Sequence, residues 1–98
     1  MTAEVRLRPE AERDVGEAAA WYEGQREGLG DEFLDELLNT LSIIAQHPNL
    51  YPVIHRQTHR ALIRRFPFGV FYQVEGQQVA VLAVMHAKRH PRRWMGRL

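Results

Sequence analysis

Hydrophobic and polar positions alternate at the start of the chain and then follow a helical repeat. Val5 and Leu7 stand between charged neighbours, which predicts a short strand with one buried face over Glu4–Arg8. From Pro9 onwards, apolar residues recur at spacings of three and four as far as Tyr22. This spacing indicates an amphipathic helix, and a proline suits its first position because no backbone N–H is needed there.

A second helical repeat begins after a short glycine-containing turn. Gly28 and Gly30 mark the turn, and Pro48 ends the apolar pattern. Because the turn is so short, the two helices are expected to pack as an antiparallel hairpin. The predicted apolar stripe of the second helix comprises Phe33, Leu34, Leu37, Leu38, Leu41, Ile44 and Ala45.

The rest of the chain carries the pattern of β-structure. Residues His47–Gln57 are assigned to a loop, and the unbroken apolar run Val79–Met85 indicates a central strand covered on both faces. The whole pattern predicts an α+β fold. An N-terminal strand and an antiparallel two-helix hairpin pack on a mostly antiparallel sheet, completed by a C-terminal three-stranded meander. The strands of the meander are predicted over Arg60–Arg65, Phe68–Glu75 and Gln78–His86.

Composition narrows the class of protein. Its 98 residues are expected to form a single domain, 1–98. The absence of cysteine excludes disulfides and thiolate metal sites and fits a reducing cytoplasm. The longest apolar run has seven residues, far short of the roughly 20 that a spanning helix needs, so no membrane segment is expected. No phosphate-binding or dinucleotide-binding glycine motif is present, and no cofactor is expected.

Charge divides sharply between the two halves of the sequence. Residues 1–55 hold eleven acids and four arginines, a net charge of −7, whereas residues 56–98 hold nine Lys or Arg and only Glu75, a net charge of +8. The overall charge of +1 hides this division. A cationic β-half makes nucleic acid or an acidic protein segment a candidate partner.

Basic and aromatic residues of the second half are the candidate contacts. Arg60 and Arg64 are four positions apart on a predicted strand, so they share a face and could bind phosphates or an acidic peptide. The alternative is a solvated edge strand, and Trp94 has the alternative of folding back onto the core. The candidate partner-binding residues are Arg60, Arg64, Arg65, Lys88, Arg89, Arg92, Arg93 and Trp94.

Histidines supply the candidates for acid–base or metal chemistry. His86 follows the central strand and could act as a general acid or base on RNA. Two pairs, His55 with His59 and His86 with His90, have a spacing that brings ligands together only on a helix. Neither pair lies in a helical pattern, so no metal site is expected.

Six segments follow one another along nearly the whole chain: R-P-E-A-E-R-D, A-A-A-W-Y-E, G-L-G-D-E-F-L-D-E, H-P-N-L-Y-P-V, R-R-F-P-F-G-V-F-Y-Q-V and V-L-A-V-M-H-A-K-R-H-P-R-R-W. In this order and spacing they resemble the RelE/ParE toxin superfamily, and most closely members described as plasmid stabilisation proteins.

The resemblance implies the toxin of a type II toxin–antitoxin pair, a cytoplasmic growth inhibitor that is neutralised by a cognate acidic antitoxin. RelE-like members have an arginine where this chain has Gly69. The expected function is therefore ParE-like, with DNA gyrase as target and a homo-oligomer or a hetero-oligomer with the antitoxin as assembly. One alternative is a non-toxic antitoxin-binding homologue. The other is an enzyme, a ribosome-dependent mRNA endoribonuclease, with the candidate catalytic residues Arg64, His86, Lys88 and Arg89.

Overall fold

A computed structural model describes residues 2–88 and 91–98 of the chain. Within these ranges, no helix is both long enough and apolar enough to cross a membrane. The elements in chain order are β1 (Glu4–Leu7), α1 (Pro9–Gln25), α2 (Leu29–Gln46), β2 (Val53–His55), β3 (Thr58–Leu62), β4 (Phe68–Glu75), β5 (Gln78–His86) and α3 (Arg92–Met95).

The strands form one sheet in the order β1-β5-β4-β3-β2. β1 runs parallel to β5, from Glu4 opposite Gln78 to Leu7 opposite Val81. The other neighbouring strands are antiparallel. The buried side chains of α1 and α2 meet one face of this sheet in a single apolar core. The predicted α+β architecture is therefore confirmed.

β5 lies between β1 and β4 in the sheet and is covered on both faces, as its apolar run predicts. Val79 and Val81 face α1 and α2, whereas Ala83 and Met85 belong to a second cluster on the opposite face of the sheet. We call that opposite face the outer sheet face. The register between β4 and β5 shifts at a β-bulge between Phe71 and Tyr72 of β4. Both faces of β5 are covered, because the helices and the C-terminal segment lie on opposite sides.

Two parts of the β-structure differ from the prediction. A short strand, β2, lies within the segment assigned to a loop, and it reaches β3 through Arg56 and Gln57, whose φ angles are 42° and 66°. β3 ends at Leu62 rather than at Arg65. Arg65 has a φ of 72°, and a residue in this left-handed region cannot continue a strand.

The helical hairpin is closed by the last turns of α1. The carboxylate of Glu23 accepts hydrogen bonds from the backbone N–H groups of Gly28 and Gly30, each at 3.0 Å. These N–H groups lie at the start of α2, where no intrahelical partner exists. Gly28 has a φ of 86°, which favours glycine. One side chain of the first helix therefore caps the second.

The buried stripe of α2 differs from the prediction at two positions. Leu37 is buried as expected, but Leu38 is 61% exposed and Thr40 is buried instead. Adjacent residues of a helix point about 100° apart, so Leu37 and Leu38 cannot both face the sheet. The hydroxyl of Thr40 donates to the carbonyl of Glu36 at 3.0 Å, which satisfies this polar group inside the core.

Replacing Gly30 by alanine is expected to destabilise the protein by about 1–3 kcal/mol. The added methyl carbon would lie 2.7 Å from the carbonyl oxygen of Ala19, so the two helices would have to move apart. Thermal unfolding followed by circular dichroism measures the change.

Gly16→Ala provides the matched control. Gly16 lies inside α1, and an added Cβ there meets nothing within 4 Å. Alanine has the better helix propensity, so this variant should be more stable by about 0.5–1 kcal/mol. If both variants shifted the melting temperature in the same direction, the close approach of the helices at Gly30 would be wrong.

Candidate functional site

The C-terminal segment covers the middle of the outer sheet face. Trp94 of α3 is 4% exposed and stacks on Phe71 of β4 with ring centroids 4.9 Å apart. Ala83 and Met85 complete this cluster, and His55 of β2 meets the indole edge-on at 5.9 Å. Trp94 thus folds back onto the core, and its indole is not available to stack on a base in this conformation.

A carboxylate from α1 takes the place of a neighbouring strand beside β5. β1 ends at Leu7, so the second half of β5 has no strand partner on that side. Asp14 Oδ2 accepts the backbone N–H of Val84 at 3.0 Å and lies 2.6 Å from Arg97 Nη1. Arg97 Nη1 also donates to the carbonyl of Leu82 at 3.1 Å.

The same ion pair anchors the C-terminal segment. A second contact joins Arg97 Nη2 to Asp14 Oδ1 at 3.2 Å, so the pair is bidentate. Hydrogen bonding to Asp14 raises the pKa of Arg97 above its usual value. Arg8 Nη1 in turn donates to the Arg97 carbonyl at 3.1 Å. These contacts hold the segment against both α1 and β5.

A groove of about 680 Å³ opens beside this anchor. We call it the α1–β5 groove; α1 forms one wall and the end of β5 and the start of β4 form the other. Trp21 on its wall is 61% exposed, and acids from α1 alternate with arginines from α1 and the C-terminal segment. The aromatic and basic residues among its lining are Arg13, Trp21, Tyr22, Phe68, His86, Arg93 and Arg97.

Arg65 lies on the helix side of the molecule. Its guanidinium contacts Glu32 at 2.7 Å and Glu36 at 3.8 Å, and it lies 5.5 Å from the ring centroid of Phe66. Hydrogen bonding to Arg65 lowers the pKa of Glu32, and Glu32 raises the pKa of Arg65. The pair ties the β3–β4 turn to α2, while the neighbouring Arg64 is exposed.

His86 and Arg60 lie on opposite faces of the sheet. His86 lies 5.9 Å from the ring of Phe68, which packs with the helices, and it lines the α1–β5 groove. Its Nδ1 accepts the backbone N–H of Lys88 at 3.2 Å. Arg60 is opposite Phe71, the residue that carries Trp94 on the outer sheet face. No single small site includes both side chains.

The remaining candidates lie at the C-terminal end of β5 and beyond. Lys88 is exposed two residues beyond the end of β5, and Arg92 and Arg93 are exposed on α3. Arg89 and His90 lie outside the described residues. The structure thus brings Arg93 to the α1–β5 groove together with His86.

A buried polar cluster fixes the loop after α2. The hydroxyl of Tyr72 donates to the carbonyl of Pro48 at 2.8 Å, and the stacked ring of His59 uses Nδ1 to bond the carbonyl of Tyr51 at 2.7 Å. Burial raises the pKa of Tyr72 to about 12. His55 is on the outer sheet face, so the two histidines do not form a pair. Across the described ranges, no three His, Asp or Glu side chains gather as metal ligands.

The sequence alone did not predict a role for several residues of these surfaces. Asp14 and Arg97 are 83 positions apart, so no local pattern could connect them. His55 was assigned to a loop, and it meets Trp94 only through the sheet. Gly69 did carry a signal, because a glycine inside a strand often marks the close approach of another group.

Comparison with known proteins identifies the class. Residues 5–91 match the family described as the ParE toxin of the type II toxin–antitoxin system, parDE. The match spans most of the chain, and the protein belongs to this family. No curated protein is similar enough in sequence to match it.

Solved structures of the RelE/ParE superfamily share the fold. A chain from the chromosomal ParDE toxin–antitoxin system of P. aeruginosa has a TM-score of 0.77 at 13% identity, covering 87% of this chain and 96% of that one. The RelBE2 toxin–antitoxin complex of Mycobacterium tuberculosis gives 0.64 at 18% identity, covering 88% and 99%. A mutant of the E. coli toxin RelE in the free state gives 0.68 at 16% identity, covering 90% and 86%.

Asp14→Ala is expected to lower the free energy of unfolding by about 3 kcal/mol, because Arg97 and the Val84 N–H both lose their partner in a partly buried place. Asp14→Asn should cost less, since an amide oxygen can still accept from Val84. Asp35 is exposed on α2, and Asp35→Ala should change stability by no more than about 0.5 kcal/mol. Urea unfolding measures all three; similar midpoints for Asp14→Ala and Asp35→Ala would contradict the anchoring role.

Tyr72 should remain protonated until the pH approaches about 12. A tyrosine in an unfolded chain ionises near pH about 10. The folded pKa is the higher one, so this group's stabilising effect is complete below the unfolded value and is lost as pH rises through the folded value. Titration by near-ultraviolet absorbance should show a late ionisation near pH about 12 that Tyr72→Phe removes. An unchanged high-pH titration in that variant would contradict the assignment.

Proposed function

We propose that this protein is a growth-inhibiting toxin of the ParE kind, with DNA gyrase as its target and a cognate antitoxin as its neutralising partner. Its membership of the ParE toxin family supports this proposal. Two of the similar structures, from P. aeruginosa and M. tuberculosis, come from toxin–antitoxin systems, which supports an antitoxin partner here.

The α1–β5 groove is the surface we assign to the antitoxin. Exposed Trp21 and the ring of Phe68 provide apolar contact area, and Arg13 and Arg93 alternate with the acids of α1, so the groove offers charges of both signs. An amphipathic segment of the antitoxin that orders on binding would satisfy both features. The ion pair of Arg97 with Asp14 forms part of the groove's lining.

Glycine at position 69, where RelE-like members have an arginine, favours a binding toxin over a nuclease, and the separation of His86 from Arg60 keeps that pair from acting on one substrate. A general acid or base must reach the same reacting group as the cation that stabilises its charge. His86 faces α1 and its Nδ1 is engaged by the Lys88 N–H, whereas Arg60 is on the outer sheet face. An mRNA-cleaving enzyme and a non-toxic homologue are the outcomes that the experiment must distinguish.

Tightly controlled expression of the chain alone should arrest growth and induce a DNA damage response. Co-expression with the small acidic protein encoded next to it should restore growth and yield a stable complex. Growth curves, a DNA damage reporter and mapping of transcript ends provide the readouts. Normal growth without the neighbour-encoded protein would identify a non-toxic homologue.

The same assay tests the role of His86. His86→Ala should reduce growth inhibition much less than Lys88→Ala, since holding a target requires no proton transfer. In a nuclease the order reverses, because positioned acid–base catalysis contributes roughly 10²–10⁴ in rate. Cleaved transcripts in the wild type that disappear in His86→Ala would replace the ParE-like function with the endoribonuclease.

A further inference from the structure

Gly69 is a glycine whose own backbone conformation does not call for one. It is buried in β4, between Leu62 of β3 and Met85 of β5. Among the described glycines, only Gly28 and Gly76 have a positive φ. Glycine weakens a strand through its greater conformational freedom in the unfolded chain. The reason for a glycine in β4 is therefore the close approach of another group to its backbone and not its φ angle.

The group that needs this space is the side chain of Arg60. A Cβ placed on Gly69 would lie 3.2 Å from Arg60 Cγ, tighter than an ordinary contact, and 3.4 Å and 3.5 Å from Phe71 Cε2 and Arg60 Cδ, which are ordinary van der Waals distances. Arg60 is opposite Phe71, two residues along β4, so its methylene stem runs diagonally over the outer sheet face. The stem lies against the backbone of Gly69, and Arg60 is consequently half-buried.

The guanidinium of Arg60 differs from two others of the same half of the chain. Arg65 is paired with Glu32, and Arg97 is paired with Asp14. Within residues 2–88 and 91–98, no carboxylate lies within ion-pair distance of Arg60. A guanidinium on a stem held against the sheet has lost part of its rotamer freedom before it meets an anion, which favours binding.

We propose that Gly69 positions Arg60, and that Arg60 binds a carboxylate of the protein target on the outer sheet face. The inference rests on the proposed function and names the contact by which the target is held. Leu62, across the strand pair from Gly69, is 57% exposed. An apolar neighbour of this kind suits a protein surface, and the arginine fork suits a carboxylate.

Growth inhibition by four proteins tests the coupling: the wild type, Gly69→Ala, Arg60→Ala and the double variant. Loss of a well-placed charge-assisted hydrogen bond weakens binding by roughly 10- to 100-fold. Gly69→Ala should therefore need at least several-fold more inducer to halve the growth rate. In the Arg60→Ala background the same change should have no further effect. Gly16→Ala, which also adds one methyl group, should inhibit growth like the wild type.

Two measurements on purified protein separate positioning from a merely structural role. Gly69→Ala should keep the melting temperature of the wild type or raise it, since the flexible Arg60 stem can move away from the new methyl group. The side-chain Nε–H signal of Arg60, assigned with Arg60→Lys, should shift in Gly69→Ala and stay in place in Gly16→Ala. An unchanged Arg60 signal would overturn the positioning of Arg60 by Gly69.

Each result of the growth experiment also supports or overturns a stated part of the proposal. An equal loss from Gly69→Ala with and without Arg60 would overturn the coupling. Transcript cleavage in the wild type that Arg60→Ala removes would assign the anion to RNA instead of a protein carboxylate. A wild type that does not inhibit growth would refute the proposed function together with the target contact, while the Nε–H signal would still decide whether Gly69 positions Arg60.

Discussion

The carboxylate of Asp14 occupies the place that another strand would take beside the second half of β5. β5 is buried on both faces and must also satisfy the backbone groups along its edge. β1 does this only as far as Val81, because the chain then turns away into α1. Asp14 and Arg97 complete the edge through Val84 and Leu82. This contact fixes three things together: the position of α1, the path of the C-terminal segment and the floor of the α1–β5 groove.

The acidic and the basic half of the sequence form different layers of the fold, and some of their charges pair where the layers meet. The helices carry most of the acids, and the β-half carries most of the arginines. Where the layers meet, opposite charges join: Arg65 ties the β3–β4 turn to Glu32 of α2, and Arg97 ties the C-terminal segment to Asp14 of α1. Arg65, which the sequence offers for a partner, and Arg97 are therefore used to hold the protein together. Arg60 differs from both, because no carboxylate of residues 2–88 and 91–98 lies within ion-pair distance of it.

Local periodicity was enough to predict the helices, the meander and the buried central strand. Each depends on neighbouring residues repeating along one face, and that information is present in any short window. Local periodicity could not tell which of the adjacent residues Leu37 and Leu38 is buried, because this depends on how α2 packs against the sheet. β2 was missed because its three residues are mostly exposed and carry no alternation. The ion pair of Asp14 with Arg97 depends on topology, which no local pattern contains.

The sheet itself limits what the candidate residues can do together. Side chains on its two faces point in opposite directions, so a ligand in the α1–β5 groove reaches His86 but not Arg60. Conversely, a partner on the outer sheet face meets Arg60 and Leu62 while the groove remains open on the other side. Chemistry that needs His86 and Arg60 on one substrate conflicts with this arrangement, whereas two separate binding events, one on each face, do not.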